Sequence, residues 1–151
     1  ASRMLRQVKG GIPFCVNVLH LDGFVLARSG LHSSVNYRSV TLCGAASMIE
    51  GAEEKEASLK AFLEHFVKGR WDTLRPIQPQ EMKATMIVGM GIEEASAKIR
   101  TGHCEDDEED YALNIWAGVV PIRTVIGEPE DDPKLKDGAP QPDHLKNINL
   151  G

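Results

Sequence analysis

The chain has 151 residues, 42% hydrophobic and 26% charged, with a formal net charge of -5 at pH 7. That describes one globular domain with apolar residues enough for a core, and the acidic excess excludes a general nucleic-acid or membrane-surface binder. No apolar run approaches the roughly 20 residues that cross a bilayer and no signal-peptide pattern opens the chain, so the expectation is a cytoplasmic protein.

The sequence begins Ala1-Ser2-Arg3 without a Met, which points to a fragment or a processed product. Ser2 reads as the N-cap of a short helix carried by Met4, Leu5 and Val8 and stopped by Gly10-Gly11. The free N–H groups, the dipole and the Arg3 guanidinium there suit a phosphate, or simply make a capped surface helix. Ile12 to His20 is β-rich, with Phe14, Val16 and Val18 on one face. Asp22-Gly23 is a tight hairpin signal, and Phe24 to Arg28 forms the return strand.

After a polar loop from Gly30 to Asn36, the pattern from Tyr37 to Ile49 predicts a long strand. Tyr37, Ser39, Thr41 and Cys43 face one way, and Arg38, Val40 and Leu42 the other. Gly44 indicates a bulge or a close backbone approach. The stretch from His32 to Gly44 crowds an imidazole, hydroxyls, an amide and a guanidinium at the mouth of that strand. Groups so dense either cap the strand or grip a ligand.

Glu53 to Lys68 is the clearest helix, with an apolar stripe of Leu59, Phe62, Leu63, Phe66 and Val67 and with His65 on its surface. Residues 70–79 read as an irregular crossover in which Trp71 is a packing anchor, and Ala84 to Val88 as another strand. Ile92 to Arg100 is compatible with either helix or strand. Glu105 to Asp110 is a solvated turn or helix start, and Trp116 to Ile126 a final strand. From Gly127 the prolines and acids mark an extended tail, so the domain spans residues 1–127 and the tail 128–151. Cys15, Cys43 and Cys104 are odd in number and widely spaced, which predicts no disulfide framework. Cys15 and Cys43 are expected as small buried hydrophobes. Cys104 stands beside His103 with no second ligand pair at metal spacing, so no metal is expected. The sum is six or so strands with one dominant helix, a mostly β (α+β) antiparallel sheet or small barrel.

Generic catalytic motifs are absent: there is no G-x-S-x-G, no P-loop and no H-E-x-x-H. Four segments in order nevertheless carry a resemblance. They are Ser2-Arg3 opening a helix, His32-Ser33-Ser34-Val35-Asn36-Tyr37-Arg38-Ser39-Val40, Lys98-Ile99-Arg100-Thr101-Gly102, and Trp116-Ala117-Gly118-Val119-Val120-Pro121. In these the chain resembles the pyridoxamine 5'-phosphate oxidase-like, FMN-binding split-barrel family, in its flavin-nucleotide-binding or nitroimidazole-resistance-like branch.

The resemblance implies a split β-barrel of Greek-key type, a homodimer with FMN at the subunit interface, and cofactor contacts from the matched residues. Ser2 and Arg3 take the place of a phosphate-gripping pair, with Met4 where the oxidases commonly have Lys. Ser39 replaces a flavin-bonding Gln, Asn36, Tyr37, Arg38 and Arg100 lie in the matched motifs, Lys98 falls near a flavin-contacting aromatic, and Trp116 is placed to wall the ring. The strands that precede the Ser-Arg helix in the family have no counterpart here, which implies an N-terminally truncated barrel. No Arg-x-His stands near the C-terminus, so oxidation of pyridoxamine phosphate itself is not expected.

The implied function is a flavin-dependent reductase, with a nicotinamide donor (NAD(P)H) and a small-molecule acceptor. His32 is the candidate proton donor, because an imidazole titrates near neutrality. The alternatives are a non-catalytic FMN- or haem-binding module, with His32 or His20 as axial ligand, and a remnant without a cofactor.

Overall fold

The computed structural model describes Val8 and residues 11–148. Their strands are β1 (Ile12–Leu26), β2 (Ser34–Ile49), β3 (Ile87–Met90), β4 (Glu94–Arg100) and β5 (Gly118–Pro121), and their α-helices α1 (Ala52–Phe66) and α2 (Pro79–Ala84). The expected helix at Ser2 lies outside the described residues. Two compact units arise: residues 11–46 with 90–124, and residues 47–89 grouped with the two ends of the chain.

The first unit is an antiparallel sheet. β1 pairs with β2 from Ile12↔Ala46 to Val25↔Ser34, β4 pairs with the other edge of β2 from Tyr37↔Arg100 to Cys43↔Glu94, and β5 pairs with β1 from Gly23↔Pro121 to Leu26↔Gly118. Valines, leucines and threonines at alternate positions fit such a pleated surface. Val25 and Ala46 are fully buried.

Asp22-Gly23 does not turn the chain. β1 runs straight through it, and the register slips between Leu21 and Gly23, which makes the pair a β-bulge. Both backbone groups of the expected turn find better partners in the sheet: the Asp22 carbonyl accepts the Ile122 N–H at 2.9 Å, and Gly23 lies against β5. A Cβ at Gly23 would sit 3.0 Å from the Val120 carbonyl oxygen, so a larger residue would push β5 away. Gly44 is the expected close approach, since a Cβ there would overlap the Gly91 carbonyl oxygen. Residues 94–100, open between helix and strand in the sequence, are strand because β2 offers them an unpaired edge. The last strand is shorter than expected and covers only Gly118–Pro121.

The cysteines depart from expectation. Cys15 and Cys43 are directly opposed in the β1–β2 ladder and form a disulfide across 28 residues of sequence, with Cα atoms 4.3 Å apart. Cys15 is exposed rather than buried. Sequence spacing hid this pairing because register alone brings the two together.

The second unit holds α1, α2 and the C-terminal stretch. Glu53 and Glu54 occupy the first turn of α1, where acids suit the dipole. Leu59, Leu63 and Val67 are half-buried, but Phe62 and Phe66 of the expected stripe are exposed, and their rings meet edge-to-face at 5.1 Å. His65 is on the helix surface as expected. Trp71, half-buried, donates its backbone N–H to Glu64 at 2.7 Å.

Helix α2 stands where a crossover and the start of a strand were expected. Pro79 is its first residue, where a fixed φ helps and no donor is missed, and the Gln78 N–H donates to Glu81 Oε2 at 2.9 Å. The strand that follows is displaced to Ile87–Met90. Residues 143–147 form a 3₁₀ turn, and Leu135 and Leu145 line a cleft of about 410 Å³ with Leu63 and Val67.

Candidate functional site

The sheet unit gathers most of the residues singled out from sequence, and strand register decides which of them share a face. Directly opposed residues of antiparallel strands point the same way. Leu19, Ser39 and Lys98 therefore form one row across β1, β2 and β4, and Leu21, Tyr37 and Arg100 the next. Toward the far end of the ladder come Asn17, Thr41 and Ser96, then Cys15, Cys43 and Glu94. The Asn17 amide confirms the shared side by donating to Thr41 Oγ1 at 2.8 Å. This face carries hydroxyls, a phenol and two cations.

Lys98 is exposed and has no acidic partner among the described residues. Arg100 is half-buried and donates to Asn36 Oδ1 at 2.9 Å, while the Asn36 amide donates to the Gly102 carbonyl at 2.9 Å. Asn36 is the one polar residue buried as a whole among the described residues, and both ends of its amide are satisfied. Its role here is to hold the end of β4 against the mouth of β2.

The opposite face is built differently. Its rows are Val16, Leu42 and Ala95, then Val18, Val40 and Ala97, then His20, Arg38 and Ile99. Arg38 and Ser39, adjacent in sequence, thus face opposite sides. Arg38 is committed to a fork on Asp22, through Nε at 3.0 Å and Nη2 at 3.1 Å. That fork holds the Asp22 carboxyl below its usual range. Val18 is 50% exposed and Ile99 70%, so this face presents apolar side chains to the outside.

His32 lies in a third environment. Arg28 donates from Nη1 to Asp106 Oδ2 and from its backbone N–H to Asp106 Oδ1, both at 2.9 Å, and its guanidinium lies 4.9 Å from the Tyr111 ring centroid. The Asp106 side chain is wholly buried. Burial pushes its pKa up, but the hydrogen bonds and charge of Arg28, with the Ser29 N–H, outweigh that and hold it below its usual range. His32 Nδ1 is 3.9 Å from Asp106 Oδ1 and has no hydrogen-bond partner. The imidazole is therefore part of the packing around a buried ion pair. His32, Asp107 and Asp110 bring one ligand-type atom each within 4.8 Å of one another, a grouping the sequence reading did not contain.

Ser39, Lys98, Tyr37 and Arg100 are thus brought together, whereas Arg38 and His32 stand apart from them. Trp116 is 67% exposed, with its ring against Gly118. Ser2 and Arg3, the expected phosphate grip, lie outside the described residues. Arg28, Asp106 and Asp22 were missed: Asp106 sits in an acidic run that reads as solvent-facing, and its partner is 78 residues away. Asp22 did carry a signal, since Asp-Gly marks bulges as well as hairpins.

A family model described as pyridoxamine 5'-phosphate oxidase matches residues 1–99. Among solved structures, the flavocytochrome Anf3 from Azotobacter vinelandii is 40% identical, with a TM-score of 0.92 over 100% of this chain and 70% of that one. An FAD and heme binding protein from Mycobacterium smegmatis is 37% identical, with a TM-score of 0.87 over 97% of this chain and 72% of that one. No curated protein matches the chain.

Proposed function

Because the chain belongs to the pyridoxamine 5'-phosphate oxidase family and has its mostly antiparallel, split-barrel fold, we propose that it is a flavin-binding protein whose cofactor lies on the Ser39–Lys98 face. The observation that carries this reading is the pair of opposed rows, Ser39 with Lys98 and Tyr37 with Arg100, on one side of the sheet. A flavin nucleotide needs cations for its phosphate, donors for its ring edge and a flat surface. Lys98 supplies an unneutralised charge, Ser39 and Tyr37 supply hydroxyls, and the exposed Trp116 is available as a wall. The residues present therefore fit the group, and both relatives named above are described by flavin or by FAD.

The cofactor is proposed to be FMN, with Ser2 and Arg3 as its phosphate grip. When bound, a flavin supplies hydride and electron transfer. Lys98 fixes positive charge beside whatever binds over β4 and so favours negative charge there. Arg100, tied to Asn36, keeps the adjacent strand end rigid. The reaction proposed is reduction of a small acceptor at the expense of NAD(P)H, in a homodimer with the flavin at its interface. Leu19 and Leu21, left exposed in a single chain on the same face as Ser39 and Lys98, support self-association there.

Purified full chain tests the reading by its spectrum: bands near ~450 nm that bleach with NAD(P)H are expected. A colourless protein that takes up neither FMN nor FAD overturns it, and chromatography of the released flavin decides between the two. An Arg3→Ala change is expected to weaken FMN binding by about 2 to 4 kcal/mol, and unchanged affinity removes Arg3 from the site. Light scattering checks the dimer.

A second reading has support of its own: one relative is a flavocytochrome and the other is described by both FAD and heme. An axial ligand needs an imidazole nitrogen facing open apolar surface. His20 meets this better than His32, because it is exposed at the end of the Val16, Val18, Val40 and Ile99 face. A Soret band lost in His20→Ala and kept in His32→Ala is the expected result.

A further inference from the structure

Cys15 and Cys43 take no part in the flavin reading. They are directly opposed in the β1–β2 ladder with Cα atoms 4.3 Å apart, close enough for the two sulfurs to meet. The β1–β2 ladder continues on both sides of them, to Ile12↔Ala46 and to Val25↔Ser34. Strand pairing therefore does not depend on the crosslink. Cys15 is exposed, Cys43 is half-buried, and both open onto a cleft of about 280 Å³ lined also by Pro13, Phe14 and Gly44. Disulfides that resist reduction are structural and shielded, whereas exposed ones belong to the labile, regulatory or catalytic kind.

We propose that Cys15 and Cys43 form a reversible dithiol/disulfide couple, a redox site open to an external dithiol. A thiolate of the dithiol attacks Sγ of the exposed Cys15, the Cys15–Cys43 bond breaks, and Cys43 leaves and takes a proton from solvent. The second thiol of the reductant then displaces Cys15 from the mixed disulfide. Two electrons and two protons pass to the protein, and the co-reactant leaves as its own disulfide. Glu94 stands directly opposite Cys43, Glu93 also lines the cleft, and among the described residues no basic one does. That rim repels anionic thiols, so the co-reactant class is an uncharged or cationic dithiol rather than glutathione. This site stands or falls independently of the flavin.

The test uses the full chain carrying Cys104→Ser, equilibrated with mixtures of oxidised and reduced dithiothreitol, alkylated and weighed intact. Two alkyl groups are expected to appear together in one two-electron transition without denaturant, and to disappear on reoxidation. The far-UV circular dichroism of the sheet is expected to persist at full reduction and in the Cys15→Ser/Cys43→Ser variant. Glutathione at the same poise is expected to act at least about tenfold more slowly. Alkylation that requires denaturant, loss of the sheet signal on reduction or in the double variant, or two free thiols under fully oxidising conditions would each overturn the proposal.

Discussion

In the sheet unit the polar contacts reach across the sequence, from Arg28 to Asp106 over 78 residues and from Arg100 to Asn36 over 64. In the helical unit most close locally, Ser58 on Glu54 over 4 residues, Arg75 on Glu81 over 6 and Trp71 on Glu64 over 7, and Lys55 on the Thr85 carbonyl over 30 is the exception among its hydrogen bonds. The first kind is assembled by strand register and collects chemistry from distant segments, including every described candidate for cofactor contact. The second caps and fastens elements whose positions their own neighbours already determine. Long-range polar contacts should therefore be the costly ones to break, and local ones the cheap ones.

Arg28→Ala should break the molecule hardest, because it leaves the Asp106 carboxylate buried without its partner. A fall in Tm of about 10 °C is expected by differential scanning calorimetry. A shift within error would mean that solvent reaches Asp106. Next comes Asn36→Ala, which strips the Gly102 carbonyl and the Arg100 guanidinium of a buried partner. A loss of about 1 to 3 kcal/mol in urea unfolding is expected. If stability holds while flavin affinity collapses, Asn36 is a cofactor contact and not a strut.

The helical unit should answer more quietly. Glu64 accepts the backbone N–H groups of Gly69 and Trp71, each at 2.7 Å, and these bonds hold its pKa below the usual range. Glu64→Gln keeps the shape but swaps one acceptor for a donor, so a Tm loss of about 2 to 4 °C is expected. Smaller still is Glu81→Gln, on an exposed pair with Arg75, at under about 2 °C.

Acid sharpens the same contrast. Arg75, then the Gln78 N–H, lower the Glu81 pKa to about 2, below its ordinary value of 4.5. A carboxyl depressed in the folded state binds fewer protons there than in the unfolded chain, so its stabilisation is complete above pH ~4.5 and is lost as pH falls toward ~2. Asp22, Asp106 and Glu64 are depressed in the same sense. Unfolding midpoints measured from pH 6 to pH 2 should fall for wild type and fall less for Arg28→Ala, which has already lost the main partner of Asp106.

The same division explains what could be read in the sequence. Helix α1 and the long strand β2 were legible because their periodicity is local, and even the face assignment along β2 matches the register found. Gly44 was legible as a close approach. Asp22-Gly23 misled because one dipeptide serves both a turn and a bulge, and only the partner strand β5 decides between them. Pro79 misled because a proline breaks a helix inside it but opens one at its first position. Cys15 with Cys43 and Arg28 with Asp106 left no sequence signal, since their contact exists only once β1 has found its partners. Within the candidate site, the matched motifs brought Ser39, Lys98 and Arg100 to attention, but not that Arg38 turns to the other face and is held there by Asp22.

The central claim is that the flavin lies on the face that carries Ser39 and Lys98. Titration of the flavin-free full chain with FMN, for wild type, Lys98→Ala and Arg38→Ala, tests it most directly. Saturable binding is predicted to weaken by about tenfold or more in Lys98→Ala, a charge-assisted contact being worth that much, and to stay unchanged in Arg38→Ala, whose guanidinium is already taken by Asp22. Loss confined to Arg38→Ala, equal loss in both, or no saturable binding by wild type would contradict the account.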